Sequence, residues 1–375
     1  MKGPKLVTSS GFPPIFDGHN DTILSLTGRG FNPLPNGRSF FERTDNGHVD
    51  LPRARDGRLG GGFFAVFVRA PETSADTDDD DGEPEDALKR ATRQFGPTGG
   101  WPEPMAMDYA QTNALELLGR LFRIERESNG ACKIVRTAGE LQDCLDTGVF
   151  AILLHFEGTD QLDPDGYALD VFHNAGVQSI GLTHFRKNRY AEGVPMVFPS
   201  SPDTGPGLTD EGKQLVGQCN ARRILVDVSH ITENGFWDVA KITDAPIVAT
   251  HSNAWAIANA PRNLTDAQMD AIKESRGVAG LNYHVGFLRE DGAADSNTPL
   301  SVLVDHVDYM VERMGIDCVA LGSDFDGAIM PDELGDATGL PKLMTALQER
   351  GYDSEALSKI AHGNWVRVLR ETWGQ

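Results

Sequence analysis

Eight short apolar runs punctuate the chain: Ile15–His19, Phe63–Val68, Phe150–Phe156, Val177–Leu182, Ile224–Val228, Ile247–Thr250, Val278–Tyr283 and Cys318–Gly322. They are nearly continuous rather than alternating, which is how strands buried on both faces read. Between most of them lie amphipathic stretches of helical period: Tyr109–Glu127, Ala138–Asp146, Gly166–Ala175, Thr209–Ala221, Glu233–Ile242, Thr265–Ser275 and Pro299–Met314. Thr209-Asp-Glu and Thr265-Asp-Ala-Gln place a capping oxygen before the periodic run. Strand and helix alternating about eight times predict a parallel (β/α)8 TIM barrel, whose functional groups gather at the strand C-termini. A length of 375 residues favours two domains at first sight. Barrels routinely exceed that limit, so residues 1–375 are read as one catalytic domain.

The ends of these runs are chemically uniform. Ile15-Phe-Asp-Gly-His19-Asn-Asp21 sets a His and an Asp two apart, on one side of a strand. One such pair arises easily by chance. The third run, however, ends in His155-Phe-Glu157 and the fourth in His184; the fifth leads to His230 and the sixth to His251. The eighth runs into Asp324-Phe-Asp326. Six strand ends thus present His, Asp or Glu in a chain with only 10 His. Imidazole and carboxylate hold zinc where thiolates are absent, and a barrel brings these ends to one rim.

Charge narrows the partners. With 34 basic and 55 acidic residues the net charge is −21, which repels nucleic-acid phosphates; acidity that serves solubility explains it equally well. The four cysteines, Cys132, Cys144, Cys219 and Cys318, form no CxxC pair, so neither a disulfide framework nor a thiolate zinc site is expected. No apolar run reaches the length of a membrane span. The first residues lack a charged-then-apolar pattern and the last offer no anchor tail, so the expectation is a cytoplasmic protein. Asp76-Thr-Asp-Asp-Asp-Asp-Gly-Glu-Pro-Glu-Asp86 centres a loop insertion at 71–103, read as solvated. Gly193–Gly207 reads as a second long loop.

Taken in order, these motifs resemble the membrane dipeptidase (renal dipeptidase, peptidase M19) family of the amidohydrolase superfamily, and its soluble bacterial members more closely. The likeness runs from Asp17 to about Asn364. It rests on Asp17-Gly-His-Asn-Asp21, Phe156-Glu-Gly158, Leu182-Thr-His184, Asp227-Val-Ser-His230, Thr250-His-Ser252, Pro261-Arg-Asn263 and Gly322-Ser-Asp-Phe-Asp-Gly327.

The resemblance implies two zinc ions per chain: His19 and Asp21 on the first, His230 and His251 on the second, and Glu157 bridging both. The ions would share a water and lower its pKa, supplying hydroxide. His184 would steady the scissile carbonyl and Asp324 would carry the proton to the leaving amine. Arg262 would clamp the substrate's C-terminal carboxylate. The family further implies dipeptide substrates, tolerance of a D-residue at the C-terminal position, and a homodimer. The chain departs from the mammalian members at Thr159-Asp160, where they have Gly-His. Tyr190 stands where a Trp is usual, which assigns it to the substrate pocket.

Plainer readings stand beside these. A strand-end His is more often a hydrogen-bonded structural residue than a ligand, and His184 could be a prop behind one. Either Asp324 or Asp326 could be the proton carrier; Asp324, directly after the apolar run, is favoured. Arg262 could form an ordinary ion pair. His155 fills the core or supports Glu157, and His284 either lines the pocket or does not. His48, His173, His306 and His362 read as structural or solvated. Two functions compete with a dipeptidase: another amidohydrolase reaction on N-acyl amino acids or related amides and lactones, and a non-catalytic ligand-binding barrel.

Overall fold

The computed structural model describes residues 11–28, 37–71 and 104–374. The first apolar run forms β1 (Ile15–Asn20) and the second β2 (Leu59–Phe67); β3 (Cys132–Ile134) intervenes before β4 (Phe150–Glu157). The remaining runs form β5 (Val177–Gly181), β6 (Leu225–Asp227), β7 (Val248–Ala249), β8 (Val278–Leu281) and β9 (Val319–Leu321). All pairings are parallel, in the order β1-β2-β4-β5-β6-β7-β8-β9. The ring closes through backbone contacts past the strand ends. The Asp21 N–H donates to the Phe325 carbonyl at 2.8 Å and the Asp324 N–H to that of His19 at 3.0 Å. The result is the nearly closed eight-stranded barrel expected.

The strand β3 was not expected. It pairs with Phe150–Ile152, the start of the β4 edge whose far end carries β5. The helices agree with the periodicity to within two residues, from Met107–Glu127 to Leu300–Met314. Thr209 and Thr265 do cap theirs, accepting from Gly212 and Gln268 N–H groups. Helices at Leu340–Arg350 and Asn364–Trp373 add to the expected set. Among the described residues no helix is long and apolar enough to cross a membrane. Apart from Pro71, the acidic insertion at 71–103 lies outside the described residues.

Side chains alternate along each strand between two cores. Ile152, Leu154, Val226, Ala249, Ala279 and Leu321 face outward into the layer under the helices. Phe16, Phe63, Leu153, Leu225, Val248, Val278 and Ala320 face the barrel axis. Trp365, from the C-terminal helix, joins this inner set; its Nε1 donates to the Leu321 carbonyl at 3.0 Å. The same helix sends Arg367 to the Gly277 and Asp317 carbonyls, at the starts of β8 and β9. The base of the barrel is thus plugged, which leaves the opposite rim as the open end.

The layer above the inner core is built differently. Gly18, Gly280 and Gly322 crowd the Thr250 carbonyl, where an added Cβ would come within 2.4, 2.1 and 2.0 Å of its oxygen. No side chain fits there, so main chain packs against main chain.

Candidate metal centre

Each candidate ligand emerges where a strand runs out. His19 is fully buried, and neither ring nitrogen has a hydrogen-bond partner. Its Nε2 lies 3.5 Å from Glu157 Oε1 and 3.6 Å from Asp21 Oδ2. The same Glu157 oxygen is 3.1 Å from His230 Nε2 and 3.6 Å from His251 Nε2. One carboxylate oxygen therefore sits within reach of three imidazole nitrogens. His230 and His251 point their Nε2 atoms at each other across 2.9 Å, and the rings of His19 and His251 stack at 3.8 Å.

The protonation of His251 follows from its neighbours. The Thr250 hydroxyl donates to Asp227 Oδ2 at 2.5 Å and thereby uses its only hydrogen. Its contact with His251 Nδ1 at 2.8 Å must then be an N–H donated by the ring. That fixes the tautomer with Nε2 bare, the form in which imidazole binds a metal. Burial, helped by the charges of neighbouring His and Arg262, holds His251 and His230 well below the ordinary imidazole range, so both stay neutral. For Asp21, burial and the nearby Glu157 push the carboxyl up to about 6.

Three overlapping groups of potential ligand atoms lie within 4.8 Å of one another: His19, Glu157 and His251; Glu157, His184 and His230; His19, Asp21 and Asp324. They share His19 and Glu157 and form one continuous cluster. Its donors are nitrogen and oxygen only, its carboxylates Asp21 and Glu157 repel each other out of water, and neither ring nitrogen of buried His19 has a hydrogen-bond partner. These properties fit bound divalent cations, zinc included. Metal would be held by His19, Asp21, Glu157, His230 and His251.

The other expected residues ring this cluster, with one exception. The His184 ring lies 4.5 Å from that of His230 and 4.2 Å from that of Phe67. Asp324 Oδ2 accepts from Asn282 Nδ2 at 2.9 Å. Asp326 is already spoken for, by Arg38 Nη2 at 2.8 Å and the His48 N–H at 2.7 Å. Of the two acids only Asp324 faces the cluster. Arg262 is buried, with Nη1 on Ser252 Oγ at 3.2 Å and Nη2 on the His251 carbonyl at 2.9 Å. Burial lowers its guanidinium to about 10, against the pull of Asp324, Asp227 and Glu157. Tyr190 does not belong with them. It is packed in the outer core, 1% exposed, and its hydroxyl donates to the Leu162 carbonyl at 2.9 Å. The pocket assignment made from its position is corrected: a phenol satisfied by backbone inside a core has nothing left for a ligand.

Supporting residues escaped the sequence reading. Asp227 accepts from the Ser229 and Thr250 N–H groups as well as the Thr250 hydroxyl. Asp17 accepts from the Ser323 N–H at 2.6 Å and the Ser323 hydroxyl at 2.7 Å. Asp17 sits two residues before His19 on β1 and Asp227, the last residue of β6, three before His230, which was the available signal. His155 stands beside Asp227, its Nδ1 2.9 Å from Ser179 Oγ, and burial lowers it to about 3. It is a neutral filler below Glu157. His284 is buried near Asp324, with Nδ1 against Ile329. His48 and His306 bond backbone groups.

Residues 10–373 match the model of the family Membrane dipeptidase (Peptidase family M19). A Klebsiella pneumoniae protein, described as an uncharacterized protein in the pqqA 5′ region, is 47% identical over 258 residues, 69% of this chain and 95% of its own. Among solved structures, the dipeptidase AC, a metallopeptidase of family M19, superposes with a TM-score of 0.85 at 40% identity, covering 97% of this chain and 99% of its own. A Rhodobacter sphaeroides metallopeptidase liganded with a phosphinate mimic of the dipeptide L-Ala-D-Ala gives 0.85 and 40% over 96% and 100%. With this cluster of candidate metal ligands at the mouth of a TIM barrel, the chain belongs to the membrane dipeptidase family, peptidase M19, and is a metal-dependent hydrolase.

Proposed function

We propose that the protein is a binuclear zinc dipeptidase that cleaves the single peptide bond of dipeptides, L-Xaa-D-Xaa among them. The observation that carries this reading is the Glu157 oxygen within 3.6 Å of three imidazole nitrogens, those of His19, His230 and His251. A carboxylate so placed suits a bridge between two ions. Bound there, the ions supply Lewis acidity and a water acidic enough to attack at neutral pH.

The chain's own groups do the rest. Asp324 takes the proton from the attacking water and delivers it to the leaving amine. The Asn282 amide, bonded to Oδ2, leaves Oδ1 for that transfer. His184, kept neutral mainly by burial and then by the charges of Arg186 and Arg262, donates an N–H to the carbonyl oxygen as it becomes tetrahedral. Arg262 binds the α-carboxylate. Its contacts with Ser252 and His251 hold the guanidinium flat, and its Nε has no partner of its own. The mimic of L-Ala-D-Ala bound by the Rhodobacter sphaeroides relative supports the substrate class.

The test is a kinetic screen of L,L and L,D dipeptides and N-acyl amino acids on protein of measured metal content. Cleavage of dipeptides with two zinc ions per chain is expected. Metal-replete protein inert on every dipeptide would refute the reading. In Glu157→Gln both ions should weaken together, and full activity there would remove the bridge.

A further inference from the structure

Arg186 has no part in the chemistry above, yet it is held where a surface arginine would not be. It lies two residues beyond His184, on the loop that leaves β5, and is 2% exposed. Its Nε and Nη1 have no hydrogen-bond partner. The guanidinium carbon stands 5.8 Å over the ring of Phe67, the last residue of β2, and that ring abuts His184. The facing carboxylate is Asp160, which attracts Arg186 from beyond hydrogen-bonding reach; its own Oδ1 is buried without a partner. The charge of Arg69 repels it. A buried cation with unused N–H groups is costly unless something else uses them.

The position says what could. In the ring order β1-β2-β4-β5-β6-β7-β8-β9, β2 is second and β7 sixth, diametrically opposed among eight. Arg262 follows β7 and bonds the His251 carbonyl, whereas Arg186 lies over the end of β2. The two arginines thus lie by strand ends opposed in the ring, and the charges of both act on His184. A substrate whose α-carboxylate is fixed at Arg262 and whose scissile carbonyl lies at His184 extends its N-terminal residue toward Phe67 and Arg186.

We propose that Arg186 forms a second anion subsite, which selects dipeptides carrying a carboxylate in the side chain of the N-terminal residue. This rests on the dipeptidase reading and adds the substrate class to it. The planar fork of a guanidinium matches a carboxylate in two-point contact, and the Phe67 ring beneath it offers an apolar floor for the side-chain methylenes.

The experiment compares kcat/KM for L-Glu-D-Ala and L-Gln-D-Ala, which are isosteric and differ in charge, with L-Leu-D-Ala as the neutral reference. The wild-type enzyme should prefer the glutamyl substrate by about tenfold or more, chiefly through KM. Arg186→Met should bring the ratio to about one, and Arg186→Lys should keep part of it. The wild-type ratio needs no variant, so a misfolded Arg186→Met would not protect the idea. Hydrolysis of L-Leu-D-Ala with a glutamyl-to-glutaminyl ratio near one overturns the subsite alone, as does a ratio unchanged in Arg186→Met. Failure on all three substrates overturns the dipeptidase reading and the subsite with it.

Discussion

The two ends of the barrel spend the same residues' worth of burial on opposite purposes. At the base, Phe16, Phe63, Leu153, Leu225, Val248 and Val278 meet Trp365, whose indole N–H is bonded to Leu321. At the rim, burial is just as deep, but it encloses the imidazoles of His19, His230 and His251, several carboxylates and two guanidiniums. The backbone does not share this division: left-handed φ values occur at the rim, at His230, Asp324 and Asp326 (67, 62 and 66°), and also just before strands at the base, at Arg58, Arg223 and Arg276 (60, 56 and 59°), each costing a non-glycine residue about 1 kcal/mol or more. Packing at the base stabilises the fold, and the rim draws on that stability to hold groups that would be better off in water.

The contrast can be broken by substitutions at either end. The largest expected effect belongs to the rim: Asp324→Asn should lower kcat/KM by about 10²–10⁴-fold with an unchanged urea midpoint. A large loss of stability there would mean that the rim also holds the fold. Next, Trp365→Ala should cost about 3–5 kcal/mol in urea unfolding while kcat per folded, metal-loaded molecule stays within about twofold. A parallel fall in kcat would show that the base transmits to the site.

Smaller changes sharpen the boundary between the ends. Thr250→Val removes the acceptor that orients His251 and should weaken zinc binding by about 10–100-fold in a chelator competition, with activity recovered at excess metal. If affinity is unchanged, the Asp227–Thr250–His251 chain is mere packing. The smallest is Asp326→Asn, which deprives buried Arg38 of its charged partner. About 1–3 kcal/mol of stability should be lost, with kcat/KM far less affected than in Asp324→Asn, as rate and melting measurements on the pair would reveal.

The barrel was legible because its strands are buried on both faces and so appear as uninterrupted apolar runs, each ending in the residues that matter. The cluster was legible for the same reason: a strand end is a fixed address on the rim. What escaped depends on contacts between distant segments. The strand β3 is three residues long, too short for any period. The Asn364–Trp373 helix is strongly amphipathic, but nothing in it states that Trp365 enters a barrel. Tyr190 was misread because a position shared with a pocket residue says nothing of where the side chain turns, and here it turns into the core. Asp17 and Asp227 stand in the motifs with no role of their own; only the fold shows them bonded to Ser323 and Thr250.

The glycines around Thr250 give the site a built-in gauge. Because Gly18, Gly280 and Gly322 let three strands touch its carbonyl, the bore of the barrel just below the ligands is set by main chain on main chain. His19 and His251 each follow directly on one of these touching residues, so the distance between them is a property of the backbone rather than of rotamers. Sequence drift in the outer helices can therefore proceed without changing the spacing of these two imidazoles. A single added methyl at Gly322 would reset it.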